Sequence, residues 1–456
     1  MDENIFREYD IRGIVGEQLT DETVAALGRA IAEFFSRNGA KRIAVGYDAR
    51  KSSPRFCELL TDGLVTCGLN VIQIGMVPTP GLYHTVFTKP VDGGVMITGS
   101  HNPPDHNGFK ICLGRQTLFG TQIQEIRAIA AQAETRRVAS VPTEQTSAEL
   151  DVLTDYITDI TSGIRMGPRK LRAVVDAGNG MGGVTAVPVL EKLGVDLIKL
   201  YTEPDSDFPN HHPDPTVTEN LLDTIEAVTA YSADIGIAFD GDGDRIGVVD
   251  ETGRIIWGDE LMILLSRSIL KEKPGSTIIA EVKCSQLLFD DIERHGGQAV
   301  MWKAGHSLIK AKMKETGAVL AGEMSGHIFF ADRYYGYDDA TYAAARVVEI
   351  LSNTDKKLSE LLADLPQTFS TPELRVPCAD EKKFDVVAKV AEYFAATNEV
   401  ITIDGARIVF KDGWGLVRAS NTQAMLVLRF EADSQSALDA IRETIEEKVN
   451  SLIARP

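Results

Sequence analysis

No Cys-x-x-Cys pair occurs among the five cysteines of this chain, Cys57, Cys67, Cys112, Cys284 and Cys378. Scattered and odd in number, they favour a reducing cytoplasm and argue against a disulfide framework or a zinc site. No apolar run approaches the roughly 18 residues of a membrane span, which excludes a membrane-embedded class. The first residues, Met1-Asp2-Glu3-Asn4, are acidic. They lack the basic and apolar regions of a signal peptide, so a cytoplasmic location is expected. A basic surplus is missing too: 47 basic against 66 acidic side chains leave a net charge of −19. Such a surface repels nucleic acid and anionic lipid, so neither is expected as a partner. It also repels small anions at long range. Any anion site must be built locally, from a few Arg and Lys side chains and backbone N–H groups.

What is present is ordinary globular material, 44% hydrophobic and 25% charged. At roughly 100–200 residues per domain, 456 residues imply three or four domains. The chain begins with a clear helix signal. Thr20 suits the cap, Asp21 and Glu22 the positive end, and Val24, Leu27, Ile31 and Phe34 recur at helical spacing before Asn38-Gly39. Short β-branched runs then alternate with helical stretches, the pattern of α/β layers.

A weak internal repeat organises the rest. Runs at Ile43–Val45, Ala173–Val175 and Thr277–Ile279 each open a unit. Second runs follow at Val71–Ile74, Asp196–Leu200 and Gln298–Met301, and third runs at Gly94–Ile97, Ile235–Phe239 and Ala318–Ala321. Directly after the third runs stand Thr98-Gly-Ser-His-Asn-Pro103, Asp240-Gly-Asp-Gly-Asp-Arg245 and Gly322-Glu-Met-Ser-Gly-His327. All three are small, polar and glycine-rich, at the carboxyl end of an expected strand, where open α/β sheets bind ligands. One solvated turn of this kind is unremarkable; three in register imply one composite site. The polar stretch Thr135–Glu149 and the segment Pro366–Pro377 read as linkers. The last segment reads as a smaller α+β domain, with helices near Lys382–Ala396 and Ser436–Val449 and strands at Val400–Ile403, Arg407–Phe410 and Met425–Phe430.

Asp240, Asp242 and Asp244 alternate with glycines, so a curled loop can aim all three carboxylates at one cation. A calcium loop is disfavoured: Arg245 takes its sixth position, where glycine is needed, and the flanks read as strands. A small hard cation, Mg²⁺, fits better. Ser100 sits on an exposed, glycine-flanked turn with His101 beside it and Lys110 shortly after. Serine needs a base or a metal to act as a nucleophile, and the neighbouring unit offers the metal. Gly178-Asn-Gly180-Met-Gly-Gly183 matches a dinucleotide fingerprint, with Glu203 at the ribose distance. Pro188 interrupts the helix that should follow, and a tight helix–sheet turn is preferred. His211 and His212 are adjacent and point opposite ways on an extended chain, which disfavours a two-histidine metal site. Lys283 and the Lys303–Ser307 segment, with His306, end strands of the third unit, and spacing leaves phosphate contact and solvated end both open.

Together these motifs resemble the α-D-phosphohexomutase family over essentially the whole chain, most closely its bacterial phosphomannomutase/phosphoglucomutase branch. Tyr9-Asp-Ile-Arg12-Gly, Thr98–Pro103, Asp240–Arg245, Gly322–His327 and Arg418-Ala-Ser-Asn-Thr422 stand in the family's order. The resemblance implies three similar α/β domains with mixed sheets around a central cleft (1–145, 146–254 and 255–366) and a smaller α+β domain (367–456). It implies reversible interconversion of hexose 1- and 6-phosphates through a phosphoserine at Ser100 and a hexose 1,6-bisphosphate. Asp240, Asp242, Asp244 and the phosphoserine would hold Mg²⁺. His101, Lys110, Arg245 and His327 are the candidate catalytic neighbours. Glu323 and Ser325 match the ligands of ring hydroxyls. Arg418, Ser420, Asn421 and Thr422 match the clamp on the non-reacting phosphate, and Tyr9, Arg12, Lys283 and His306 match other cleft positions. The glucosamine branch usually carries glutamine where Met324 stands. A serine-dependent phosphatase and a non-catalytic sugar-phosphate sensor are the other classes. A monomer or small homo-oligomer is expected.

Overall fold

The computed structural model describes residues 1–133, 147–420 and 424–454. The first long helix, Asp21–Arg37, starts where Thr20 Oγ1 accepts the Thr23 N–H at 3.2 Å and ends at Asn38. Gly39 then turns the chain with φ +77°, a conformation that costs glycine little. The face carrying Val24, Leu27, Ile31 and Phe34 is fully buried, as the helical spacing requires.

The internal repeat is visible in the sheet order. In the first sheet, Asn70–Met76, Arg42–Tyr47 and Gly93–Ile97 run parallel, and His106–Leu113 returns antiparallel beside the third. The second sheet repeats that order with Asp196–Leu200, Arg172–Asp176, Ile235–Phe239 and Ile246–Asp250. The third repeats it again with Gln298–Trp302, Thr277–Glu281, Leu320–Gly322 and Ile328–Phe330. Each polar loop therefore joins the third strand of its unit to the antiparallel return strand. Gly93–Ile97, Ile235–Phe239 and Ile246–Asp250 are buried at every position, which is why they read as continuous apolar runs.

The fourth sheet is antiparallel where paired, in the order Phe369–Ser370, Met425–Ala432, Gly413–Ala419, Ala406–Phe410, Glu399–Ile401, with Leu374–Pro377 also on Met425–Ala432. Helices Asp380–Ala395 and Gln435–Ile453 pack on it. Three details depart from the sequence reading. Ser147–Glu149, within a stretch read as linker, extends the first sheet beside Asn70–Met76. The segment read as a linker at 366–377 supplies two strands of the fourth sheet. Pro188 lies inside the helix Gly182–Lys192 without ending it.

One apolar cluster runs through the second and third sheets, from Tyr156 and Ile160 through Ile237 and Leu264 to Leu351 and Leu362. The fourth sheet has its own, built from residues between Cys378 and Leu452. Among the described residues, no helix is long and apolar enough to cross a membrane.

Candidate active site

The three polar loops and the fourth sheet converge on one cleft. Ser100 adopts φ 48°, left-handed backbone that disfavours any residue with a side chain. It was expected on an exposed turn, but only 5% of it is accessible, because the aspartate loop of the second unit lies against it. Its hydroxyl donates to Asp240 Oδ2 at 2.9 Å and lies 3.1 Å from His101 Nδ1. A Cβ at Gly241 would stand 2.4 Å from the Ser100 carbonyl oxygen, so the loop's glycine allows this approach.

Asp240, Asp242 and Asp244 are fully buried, with one ligand atom from each within 4.8 Å of the others. Burial, then the charges of Asp244 and Asp242, hold the Asp240 carboxyl well above the usual range. Asp244 is held well below it: burial works the other way but is outweighed by Lys110 and His327. Lys110 Nζ donates to Asp242 Oδ2 at 2.7 Å and also to Asp244. The other oxygen, Asp242 Oδ1, is buried with no hydrogen-bond partner among the described residues. An orphaned buried carboxylate oxygen within an all-oxygen donor set fits a hard divalent cation, so the residues suit Mg²⁺.

His327, from the third loop, links the acidic cluster to Glu323 and Ser325. Its Nε2 lies 3.1 Å from Asp244 Oδ1 and its Nδ1 2.7 Å from Glu323 Oε2, with Arg245 Nε 3.3 Å from Nε2. Burial opposes a charged ring, but Asp244, against Arg245, and Glu323 outweigh it, and the His327 pKa is pushed up to about 9. Burial would raise Glu323, yet the His327 hydrogen bond and the Lys283 charge bring it down to about 2. Glu323 Oε1 also accepts the Gly305 N–H at 2.7 Å, and Ser325 Oγ lies 3.3 Å from His327 Nδ1. The His306 ring stands 5.8 Å from that of His327 and 6.1 Å from that of Tyr9.

The fourth domain closes the ring of contacts. Asp404 Oδ2 accepts from Arg418 Nε at 2.7 Å and from the Ala304 N–H at 3.0 Å, while the Tyr9 hydroxyl donates to the Ala304 carbonyl at 3.0 Å. Arg12 pairs with Asp10 and feels the charges of Asp242 and Asp244. Lys283 is partly buried, 2.6 Å from Glu373 and 3.5 Å from Glu281, so it is no solvated strand end. Ser420 is buried at the end of Gly413–Ala419; Asn421 and Thr422 lie outside the described residues.

Several functional neighbours escape sequence reading. Thr79 donates to Asp242 from the amino end of a helix in the first unit. The His212 ring reaches the His101 carbonyl, and His211 turns away to Asp176. Asp48 and Arg50 stand just beyond the carboxyl end of Arg42–Tyr47, the position rule that singled out the other loops. The dinucleotide-like glycines serve packing: a Cβ at Gly183 would stand 1.9 Å from Thr202 O, and one at Gly182 2.7 Å from the Phe239 side chain.

Three repeated α/β units with Ser100-bearing, acidic and Glu-Met-Ser-Gly-His loops around one cleft, closed by an α+β domain, define a class. Family models of phosphoglucomutase/phosphomannomutase match the chain in order: alpha/beta/alpha domain I at 3–137, domain II at 154–253, domain III at 257–369 and the C-terminal domain at 373–448. The chain belongs to the phosphoglucomutase/phosphomannomutase family. It is 47% identical over 444 residues to a phosphomannomutase/phosphoglucomutase of Pseudomonas putida, covering 97% of this chain and 94% of the relative. It is 46% identical over 452 residues to a phosphoglucomutase of Neisseria gonorrhoeae, covering 98% and 97%. A crystal structure of a phosphoglucomutase/phosphomannomutase family protein from Burkholderia thailandensis superposes with TM-score 0.92 at 42% identity, covering 99% of this chain and 98% of that one.

Proposed function

We propose that this protein reversibly interconverts hexose 1-phosphates and hexose 6-phosphates, of both mannose and glucose, with Ser100 carrying the phosphoryl group between turnovers. The observation that supports this best is the Ser100 hydroxyl held on Asp240 of a buried three-carboxylate cluster, in a chain whose relatives bear these activities in their names. Asp240, Asp242 and Asp244 would hold Mg²⁺ together with an oxygen of the group on Ser100. When bound, that ion supplies charge neutralisation at the moving phosphoryl group.

The residues of the chain do the rest. The phosphorus–Oγ bond at Ser100 breaks as the free sugar hydroxyl forms a new one, and the proton lost by that hydroxyl is balanced by the one Oγ gains. The product is a hexose 1,6-bisphosphate, which reverses its orientation before its other phosphate returns to Ser100. Lys110, Arg12 and Arg245 set positive charge around the transfer. His327, set between the carboxylates of Asp244 and Glu323, holds a ring N–H within the cleft. Glu323, held ionised, accepts from ring hydroxyls beside Ser325, and Arg418 with Ser420, Asn421 and Thr422 grips the distal phosphate. Tyr9, Lys283 and His306 line the same cleft.

Nothing in the third loop reads the C2 hydroxyl, where mannose and glucose differ, because the thioether of Met324 is a weak hydrogen-bond partner. Catalytic efficiencies on mannose 1-phosphate and glucose 1-phosphate should therefore agree within about tenfold, or roughly 1.4 kcal/mol. Steady-state assays on both, with glucosamine 1-phosphate alongside, test this. A hundredfold preference for one hexose, or for the amino sugar, contradicts the reading of Met324. Release of free phosphate in place of the isomer identifies a phosphatase, and Ser100→Ala turning over at the wild-type rate removes the phosphoserine route.

A further inference from the structure

The loop that carries Ser100 is tied down by one side chain that none of the motifs includes. Arg50 follows the strand Arg42–Tyr47 and precedes the helix Ser53–Thr66, and its residue is 2% exposed. Its Nη1 donates to the carbonyls of Pro103 and His106 at 2.6 and 2.8 Å, and its Nη2 to those of Ser100 and Asn102 at 2.8 and 2.6 Å. Four carbonyls of one loop thus converge on a single planar fork. The loop lies directly against that fork: a Cβ at Gly99 would stand 2.5 Å from the guanidinium carbon, so glycine is required there.

Asp48 fixes the arrangement from behind. One of its oxygens lies 3.3 Å from Arg50 Nε and accepts the Gly99 N–H at 3.3 Å. The other accepts the Ser53 hydroxyl at 2.7 Å and the Arg50 N–H at 3.1 Å. The Phe208 ring, from the second unit, lies 5.5 Å from the guanidinium. Burying a guanidinium this deeply is unfavourable unless it is paired and hydrogen-bonded. The gain must be in what it orders. The ordered residue is Ser100, in left-handed backbone with its hydroxyl on Asp240.

We infer that Arg50 is a positioning residue for phosphoryl transfer: by holding four carbonyls of the 100–106 loop, it keeps Ser100 in the strained backbone conformation that aims its oxygen at the acidic cluster. This rests on Ser100 being the phosphoryl carrier. Lysine cannot replace it, because one ammonium has neither the planar geometry nor the donors for four acceptors in two directions.

The test compares full-length wild type, Arg50→Lys, Arg50→Ala and Lys51→Ala, the last altering an exposed neighbour that pairs with Asp207. Hydrogen–deuterium exchange of the amides at 99–107 and steady-state kinetics are read in parallel. Arg50→Lys should accelerate exchange in that loop while helix Asp21–Arg37 stays protected. Its kcat should fall about 100-fold, the scale of an ångström-sized misplacement of a reacting atom, with KM within about threefold of wild type. Added guanidinium ion should recover part of the kcat of Arg50→Ala, which a merely destabilised protein would not do. Lys51→Ala should match wild type in both readouts. A loop as protected as wild type in Arg50→Lys, a kcat within about threefold of wild type, or no rescue by guanidinium overturns the inference. Should Arg50→Lys not fold, Asp48→Asn decides: faster exchange at 99–107 with reduced kcat supports it, and unchanged values overturn it. A wild type without mutase activity would instead remove the functional reading, and the exchange measurement would still report on the loop.

Discussion

Ser100 has to satisfy opposed demands. Its backbone sits at φ 48°, which costs a non-glycine residue on the order of 1–3 kcal/mol, while its hydroxyl must meet Asp240 from the neighbouring unit. Such strain persists only where the surroundings over-determine it, and the contacts at Thr98, Gly241 and Arg50 do so. Asp242 has the clearest individual signature in the acidic cluster. One of its oxygens takes Lys110 and Thr79, and the other is buried with no hydrogen-bond partner among the described residues. Asp242→Asn removes a charge from the cation site and turns part of an acceptor into a donor. Turnover at saturating Mg²⁺ is expected to fall at least about 100-fold, equivalent to roughly 2.7 kcal/mol. Titration calorimetry should show weaker Mg²⁺ binding as well. Unchanged turnover and unchanged affinity would place the cation elsewhere.

At the scale of elements, what could be read from sequence was what is locally encoded. The three repeated units were legible because buried parallel strands make continuous β-branched runs, and the loops after them stood out by composition. The helix Asp21–Arg37 was legible from its cap and spacing. Strand Gly413–Ala419, which carries Arg418, was not, since two of its first three residues are glycines and its order comes from both neighbouring strands. Arg50 was legible by its place just beyond a strand's carboxyl end but not by its role: its four acceptors lie some fifty residues away, and no local pattern announces them. Pro188 misled because a helix can keep a proline where packing holds it. The helix Ala340–Ser352 shows how tertiary setting alters even a cap. Asp339 caps it by accepting the Tyr342 N–H at 2.9 Å, and also accepts from the hydroxyls of Tyr156 and Tyr334. Burial nevertheless outweighs these hydrogen bonds and pushes its carboxyl from 3.8 up to about 7. The folded protein then binds this proton more tightly than the unfolded chain. Asp339 contributes most to stability below pH about 4, and that contribution is lost as pH rises toward about 7. Melting curves of wild type and Asp339→Asn should therefore show the variant gaining on wild type between pH 5 and pH 8. A difference independent of pH would mean that the carboxyl titrates as in the unfolded chain.

The whole molecule is held together unevenly, and this bears on how the bisphosphate proposed above would turn around inside it. The second and third sheets share one apolar cluster, whereas the fourth has its own and meets the third through buried arginines beside a small apolar patch of Val282, Met301, Trp414 and Leu416. Arg407, fully buried, donates to the carbonyls of Val282 and Cys284 at 2.6 and 2.9 Å and lies 3.7 Å over the Trp414 ring. Arg429 reaches the Lys283 carbonyl and Asp259 across the same boundary. These contacts seat Arg418 over the cleft, yet the apolar patch the two domains share has far fewer members than the cluster joining the second and third sheets, and interfaces that are not large and hydrophobic allow domain motion. Burial already brings the Arg407 pKa down to about 10, so the side chain is retained at a cost in desolvation. Arg407→Met keeps an unbranched apolar stem but is shorter and lacks the guanidinium, so it abandons both carbonyls and removes the cation that acts on Glu431. A loss of about 1–3 kcal/mol is expected, confined to the boundary between the third and fourth domains. Calorimetry should then show a low-temperature transition moving earlier while the main transition, set by the shared cluster, stays in place. KM for the hexose phosphates should rise more than kcat falls, because the distal phosphate loses a firmly seated clamp before the Ser100 loop is disturbed. If both transitions shift together and kcat falls with KM unchanged, the fourth domain is part of one cooperative unit, and the reorientation of the bisphosphate has to occur without its opening.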